Sequence, residues 1–178
     1  MIVNKSFYQW IYVIPANWKF PIAYQGKQLN KKEYLEYWGK WIVMDDREKL
    51  DELGTRLDPY VEDRSISSIK YNRDPEPYLD LDVCVMCIFC DSREREQVWK
   101  ILSKAGVTLK AWVYERQTIE MWMPGGMLIE NWIDYYKLGP EEGEKVRNET
   151  RQMYEKWLSQ FDEGDKRQRG AWNLERMR

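Results

Sequence analysis

The middle of the chain switches repeatedly between two spacings of hydrophobic residues. Short apolar or alternating runs rich in β-branched residues predict strands, whereas apolar residues three or four positions apart predict helices. The predicted strands are "KWIVMD" (40–45), "SISSIKYNR" (65–73), "LDVCVMCIFCD" (81–91) and "TLKAWVYER" (108–116), and the predicted helices lie at 46–63 and 91–106. The pattern between residues 40 and 116 is therefore strand, helix, strand, strand, helix, strand.

This order of elements predicts the fold class. It is the order of the split βαβ fold, in which an antiparallel sheet carries both helices on one face. We therefore predict an α+β core domain over residues 30–126, with helices packed on one face of the sheet. A further strand is predicted at "TIEMWM" (118–123), because its side chains alternate and a Pro-Gly-Gly turn follows it.

Local signals predict where several helices begin and end. Asn30 is expected to cap a short helix that Gly39 stops, because asparagine accepts backbone N–H groups at helix starts and glycine is common after helix ends. Asp91 is expected to cap the helix after the cysteine-rich strand, with Glu94 completing a capping box. Gly106 is expected to end that helix.

Extensions flank the core on both sides. Residues 1–29 form an aromatic arm, "FYQWIYVIPANWKFPIAY" in its centre, whose prolines disfavour a long helix or a central strand. Residues 127–163 carry helical patterns and form a helical C-terminal extension. Residues 164–178 are rich in charged side chains, and we expect a flexible tail there unless a partner orders it.

All the cysteines of the chain lie in one predicted strand, as Cys84, Cys87 and Cys90. Zinc and iron–sulfur sites of this kind need four ligands, and the chain has neither a fourth cysteine nor a histidine. In a strand, Cys84 and Cys90 point to one face and Cys87 to the other, so the three thiols cannot converge on a metal. We therefore predict buried packing residues and no metal site.

Composition narrows the possible functions. The chain has 28 Lys and Arg against 30 Asp and Glu among 178 residues, so it lacks the excess of basic residues that is typical of nucleic-acid-binding proteins. Without histidine it cannot form Ser-His-Asp or Cys-His nucleophile arrangements, and we expect no cofactor and no catalytic activity of its own. Few cysteines, and no recognisable signal peptide or membrane span, favour a cytoplasmic protein with no membrane partner.

A resemblance to a known fold lies in "GKWIVMD" and the elements that follow it: helix, strand, apolar strand ending in an acidic residue, helix and strand. These features resemble the translation initiation factor 4E-like fold, and in particular proteins that share it without binding mRNA caps; the resemblance covers residues 34–125. In cap-binding members two tryptophans sandwich a methylated guanine. Trp38 and Trp41 do not match the loops that carry those two tryptophans. The resemblance therefore implies the fold and a binding role, but not cap recognition.

One predicted sheet face combines aromatic rings with charges. Alternation places Leu109, Ala111 and Val113 on the core side and the other residues on the opposite side. The candidate face consists of Lys110, Trp112, Tyr114, Arg116, Glu120 and Trp122. Such a face could stack a planar ligand or nucleotide and hold a phosphate, or it could be covered by the arm, by the C-terminal helices or by another subunit.

Ten tryptophans and twelve tyrosines favour an interaction role, because their rings suit interfaces as well as cores. We predict an accessory or assembly subunit of a larger complex, bound to another protein chain or to a second copy of itself. The candidate anchors in the two extensions are Trp10, Trp18, Trp172 and Leu174. The alternative is a small-molecule or nucleotide-binding module that uses the candidate face.

Overall fold

The computed structural model describes residues 1–17 and 22–161, and within them it shows an antiparallel sheet and six helices, which confirms the predicted α+β class. The strands are β1 (Ile2–Val3), β2 (Trp10–Val13), β3 (Ala23–Tyr24), β4 (Lys27–Gln28), β5 (Trp38–Asp45), β6 (Ser68–Asn72), β7 (Cys84–Asp91) and β8 (Trp112–Tyr114). The helices are α1 (Lys31–Tyr37), α2 (Arg47–Glu62), α3 (Arg95–Lys104), α4 (Glu115–Trp122), α5 (Met127–Tyr135) and α6 (Pro140–Ser159), with a 3₁₀ helix at Pro77–Leu79.

Six strands form the main sheet in the order β1-β2-β6-β7-β5-β8, with every neighbouring pair antiparallel. Strand β7 is central, since it pairs with β5 along its whole length and with β6 on its other side. The first part of the aromatic arm supplies β1 and β2, which extend the sheet beyond β6. Strands β3 and β4 pair only with each other among the described residues.

One face of the sheet packs against α2 and α3 and forms the larger core. Apolar side chains at alternate positions of the strands meet the leucine stripe predicted for α2, and both are buried. The central members of this core are Leu50, Leu53, Leu57, Cys84, Met86, Ile88, Cys90, Val98 and Leu102. Helix α3 ends as predicted, with Gly106 just beyond it in the left-handed region at φ +92°.

The opposite face of the sheet is also covered, so the expected arrangement with helices on one face holds for α2 and α3 alone. Helices α1, α4 and α6 bury Trp38 and Ile119, and Phe161 after α6 joins them. The physical reason is that this face carries its own large apolar side chains, Trp38 and Phe89 among them, and apolar area of that size is stabilised by removal from water.

The start of α1 follows the sequence signal, but its end does not. Asn30 Oδ1 accepts the N–H of Glu33 at 2.9 Å and Glu33 Oε2 accepts the N–H of Asn30 at 3.0 Å, so the predicted cap is confirmed. The predicted stop at Gly39 is wrong, because α1 ends at Tyr37 and Gly39 lies inside β5. Its missing side chain makes room for the Trp112 ring, which a Cβ would overlap.

The predicted capping box of α3 is also wrong. Neither Asp91 nor Glu94 caps the helix with its side chain, and Asp91 instead accepts hydrogen bonds from Arg93, at 2.8 Å from Nε and 2.7 Å from Nη2. The guanidinium lies between two rings, 3.7 Å from the centroid of Tyr24 and 4.1 Å from that of Tyr37. The Asp91 carboxylate is fully buried, and a bidentate ion pair with Arg93 stabilises it more than a hydrogen bond to the helix start would.

The predicted strand at 118–123 is helix α4. Glu115, Gln117 and Glu120 are good helix formers, and the side chain of Gln117 accepts the N–H of Tyr114 at 2.9 Å at the helix start. The helix buries Ile119 against the second face of the sheet, in the cluster that contains Trp38. Within residues 1–17 and 22–161, no helix combines the length and apolar character needed to cross a membrane.

Candidate functional site

Three of the predicted site residues lie on β8 or in the loop just before it. Trp112 packs edge-on against Trp41, with 5.2 Å between ring centroids, and against Tyr114 at 5.7 Å. Lys110 Nζ lies 5.7 Å from the centroid of Trp99 in α3. These residues therefore border the side of the sheet that α2 and α3 cover, and the alternation in 108–116 was assigned to the wrong faces.

The reason for the wrong assignment is the length of β8. Only Trp112–Tyr114 forms a strand, and Leu109, which the pattern placed in the core, is 66% exposed in the loop before it. A loop residue does not follow the two-residue alternation of a strand. Val113 lies opposite Lys40 and so belongs to the second face of the sheet.

The three candidates on α4 separate from one another. The guanidinium of Arg116 lies 4.8 Å from the ring centroid of Tyr114. Glu120 lines a shallow depression together with Trp112. The Trp122 ring lies against the 3₁₀ helix, on another side of α4. The structure thus brings together a group around β8 and leaves Trp122 outside it.

Of the predicted partner anchors, Trp10 is half-buried in β2, where its ring centroid lies 4.7 Å from Lys70 Nζ. Trp18, Trp172 and Leu174 lie outside the described residues.

A concave site with a largely aromatic lining lies on the second face of the sheet, between the strands and α1, α4 and α6. We call it the aromatic cavity; its volume is about 280 Å³. Its lining is Ile22, Tyr34, Trp38, Ser68, Lys70, Phe89, Glu115, Met153, Tyr154 and Trp157. Met153 is half-exposed, so the cavity reaches solvent on its side.

Strand alternation builds the floor of the aromatic cavity. Ser68 lies opposite Phe89, which in turn lies opposite Lys40, and Lys70 lies opposite Cys87. Because side chains two positions apart share a face, the residues of β5, β6 and β7 at these positions all point away from the large core. The floor is therefore part apolar and part cationic.

Aromatic residues of α1 and α6 build the roof. Tyr34 stacks on Phe161 with 4.4 Å between ring centroids, and Trp157 meets Phe161 edge-on at 5.5 Å. The Trp157 Nε1–H donates to the hydroxyl of Tyr34 at 3.4 Å. These contacts position Tyr154, which lies one turn before Trp157 on α6, over the sheet.

A buried ion pair closes the α4 side of the cavity. Lys40 Nζ pairs with Glu115 Oε1, and it also donates to Thr118 Oγ1 at 2.8 Å. The side chains of Lys40 and Glu115 are only 8% and 15% exposed. The carboxylate that faces the cavity is therefore compensated by its own cation.

Lys70 is the second cation at the floor. It is half-buried, and its Nζ lies 4.7 Å from the ring centroid of Trp10 and 5.7 Å from that of Phe89. Within the described residues no carboxylate lies within ion-pair distance of it. Among the described residues, Lys40 therefore has a carboxylate partner, whereas Lys70, which lines the cavity, has none.

The hydroxyl and thiol groups around the cavity stay protonated at neutral pH. Burial, with the nearby Glu115 charge, raises the pKa of Tyr154 to about 12, and the same causes raise the pKa of Tyr34 further. Burial also raises the pKa of Cys87, although the Lys40 and Lys70 charges oppose that shift. These groups are suited to donating hydrogen bonds and to packing, and not to nucleophilic attack.

The cavity can therefore hold a flat apolar molecule between rings and meet a polar or anionic group at Lys70. Among the described residues, no group of three or more acidic or cysteine side chains is placed to hold a metal ion. The cysteines lie as predicted, buried and on alternating faces of β7.

Sequence reasoning did not select the aromatic cavity. One signal was present: a lysine next to a buried apolar residue in each of two strands, Lys40 beside Trp41 in β5 and Lys70 beside Ile69 in β6. Charged residues are almost never fully buried unless they are paired, so such lysines mark a face on which other groups must compensate their charge.

Comparisons of the chain with protein-family models, with curated proteins and with solved structures found no match.

Proposed function

We propose that the protein is a non-catalytic binding protein whose aromatic cavity takes a small planar molecule. The observation that carries this proposal is the cavity itself, in which rings from β5, β7, α1 and α6 surround a space of about 280 Å³. That volume is close to the lower end of ligand pockets, about 300–1,000 Å³, which are mostly apolar with a few polar groups.

The chemistry of the lining supports a flat ligand of one or two fused rings. Trp38, Phe89 and Trp157 offer ring faces and edges, and each aromatic pair contributes about 0.5–1.5 kcal/mol beyond its buried area. Ser68 and Tyr154 offer hydroxyl groups that can fix the orientation of such a ring. This proposed ligand site lies on the other side of the sheet from Trp112 and Tyr114, where the sequence pattern predicts ligand binding.

The test is to fill the cavity from its floor. Ser68→Leu places a larger apolar side chain in the space without removing a core contact, and we expect at least a tenfold loss of affinity for one- and two-ring aromatic probes in calorimetric titrations. Ser103→Leu, at an exposed position of α3, is the matched control and should bind as the wild type does. The proposal fails if the wild type binds no probe at millimolar concentration, or if Ser68→Leu leaves binding unchanged while thermal unfolding shows both variants folded.

We also propose a second role, as an accessory subunit bound to another protein chain. It is favoured by an exposed aromatic surface on and after α5, where Tyr135 is 50% and Tyr136 49% exposed. Their rings lie 5.0 Å apart and Tyr136 lies 4.6 Å from Trp132. Aromatic residues are enriched at protein interfaces, and such a patch is more favourable when a partner covers it.

Native mass spectrometry of the tagged protein purified from its source cell tests the second role. A second chain in fixed stoichiometry should accompany the wild type and be lost from the double variant Tyr135→Glu/Tyr136→Glu. Leu109→Glu, which changes an exposed apolar residue after α3, should retain it. Recovery of the wild type solely as a monomer would contradict an accessory role.

For the fold, we propose that β5, α2, β6, β7, α3 and β8 form a split βαβ unit within a 4E-like architecture. The order β8-β5-β7-β6 in the sheet and the position of α2 and α3 on one face support this. An experimentally determined structure with a different strand order would refute it.

A further inference from the structure

We propose that the ligand of the aromatic cavity carries a single negative charge, as a carboxylate on an aromatic ring, and that Lys70 recognises it. This inference rests on the proposed ligand-binding function and adds the chemical class of the ligand. It is carried by a difference in charge compensation between Lys70, which lines the cavity, and Lys40, which pairs with the lining residue Glu115.

The two lysines differ in how their charges are compensated. Lys40 has a carboxylate and a hydroxyl as partners, from Glu115 and Thr118 of α4, and is almost fully buried. Lys70 has aromatic rings on its flanks, and no carboxylate among the described residues lies within ion-pair distance of it. A cation–π contact compensates an ammonium group less than an ion pair does, so Lys70 is the group that can still accept an anion.

The remaining polar groups of the lining favour an acceptor over a donor in the ligand. Ser68 follows the same strand as Lys70, two positions away and therefore on the same face. The Tyr154 hydroxyl keeps its proton and can donate it in a hydrogen bond. A carboxylate beside Lys70 accepts up to four hydrogen bonds and matches these donors.

The charge count favours one negative charge rather than two. Among the described residues, the charges of Lys40 and Glu115 compensate each other, which leaves the single positive charge of Lys70 in the lining. A phosphate monoester brings a second charge at neutral pH, and that charge would be desolvated in a half-enclosed aromatic site without a partner. A carboxylate is therefore the better match.

Titration calorimetry with three probes on one ring system tests this: 2-naphthoate, its neutral isostere 2-naphthamide, and 2-naphthyl phosphate. The wild type should bind the carboxylate about 10- to 100-fold more tightly than the amide, as expected for a hydrogen bond to a charged group. Lys70→Met retains the apolar stem against the rings of Trp10 and Phe89, and it should lose this preference while still binding the amide. Lys110→Met is the matched control, because Lys110 also lies over two rings but outside the cavity, and it should retain the preference.

The outcomes separate this inference from the proposed function. Equal binding of carboxylate and amide by the wild type, tighter binding of the phosphate, or an equal loss of both probes in Lys70→Met would overturn the inference and leave the aromatic cavity as a ligand site. Binding of none of the three probes would refute both. Lys70→Arg checks that folding is not the cause, since it keeps the charge and should keep the preference.

Discussion

The ion pair between Lys40 and Glu115 offers the sharpest test of how the second face of the sheet is built. Lys40 is the third residue of β5 and lies 75 positions before its partner at the start of α4. The substitution Lys40→Met keeps an apolar stem of similar length and removes the charge and the hydrogen bonds. The carboxylate of Glu115 then stays in an aromatic environment without its cation.

The burial of the pair sets the magnitude. Breaking a buried ion pair by removing one partner typically costs about 3–5 kcal/mol, because the other charge remains uncompensated. The side chains are 8% and 15% exposed, so some solvent reaches the carboxylate, and we expect the lower end, about 3 kcal/mol of the free energy of unfolding. With a urea dependence of about 2 kcal/mol per molar, the unfolding midpoint should fall by about 1.5 M.

Urea unfolding followed by tryptophan fluorescence measures the midpoint and slope. The double variant Lys40→Met/Glu115→Leu removes both charges and should regain most or all of the stability that Lys40→Met loses, since apolar replacements of whole buried pairs are often neutral. Lys49→Met serves as control: Lys49 pairs with Asp45 at 2.7 Å, but its side chain is 62% exposed, and no measurable shift is expected.

Two results would refute this reasoning. A shift in Lys40→Met as small as that in Lys49→Met would mean that water compensates Glu115 and that the second face is open. If the double variant loses as much stability as Lys40→Met and the single variant Glu115→Leu lose together, the two side chains contribute through packing rather than through their charges.

Three further predictions concern other parts of the molecule. Gly39→Ala should lower the free energy of unfolding by about 1–3 kcal/mol, because its Cβ overlaps the Trp112 ring and backbone beside it; an unchanged urea midpoint would contradict this. Arg147 lowers the pKa of Glu130 from 4.5 to about 2, so their ion pair stabilises the fold above pH 4.5 and this contribution is lost as the pH falls toward 2. In Arg147→Gln, a carboxyl-detected NMR titration should show the pKa of Glu130 returning upward, and an unchanged value would refute that cause. The thiols of β7 are buried with raised pKa values, so Ellman's reagent should react with none of them in the native protein and with all three in urea; fast reaction of the native protein would contradict their burial.

The parts of the fold that could be predicted are those whose local pattern admits one interpretation. The leucines of α2 repeat at helical spacing, and β7 is an apolar run between clear turn and helix signals. The positions of the cysteines could be predicted as well, because strand alternation alone decides that Cys84 and Cys87 point to opposite faces.

The prediction failed where a segment fits two patterns. Residues 118–123 alternate like a strand, but they also contain helix formers, and packing of Ile119 against the second face decides in favour of α4. The predicted site was therefore wrong as well, since Glu120 and Trp122 lie on a helix and not in the sheet. The short length of β8 then placed Trp112 against Trp41 instead of on an open face.

The sequence by itself determined the α+β class, the order of strands and helices from residue 40 to 114, and the alternation that divides each strand between two faces. Only the tertiary structure decided what covers each face, because that depends on pairs far apart in the chain, such as Tyr34 and Trp157 at a separation of 123 positions. Local propensity and periodicity hold no information about such pairs. The aromatic cavity exists because α1, α4 and α6 pack on the same strands.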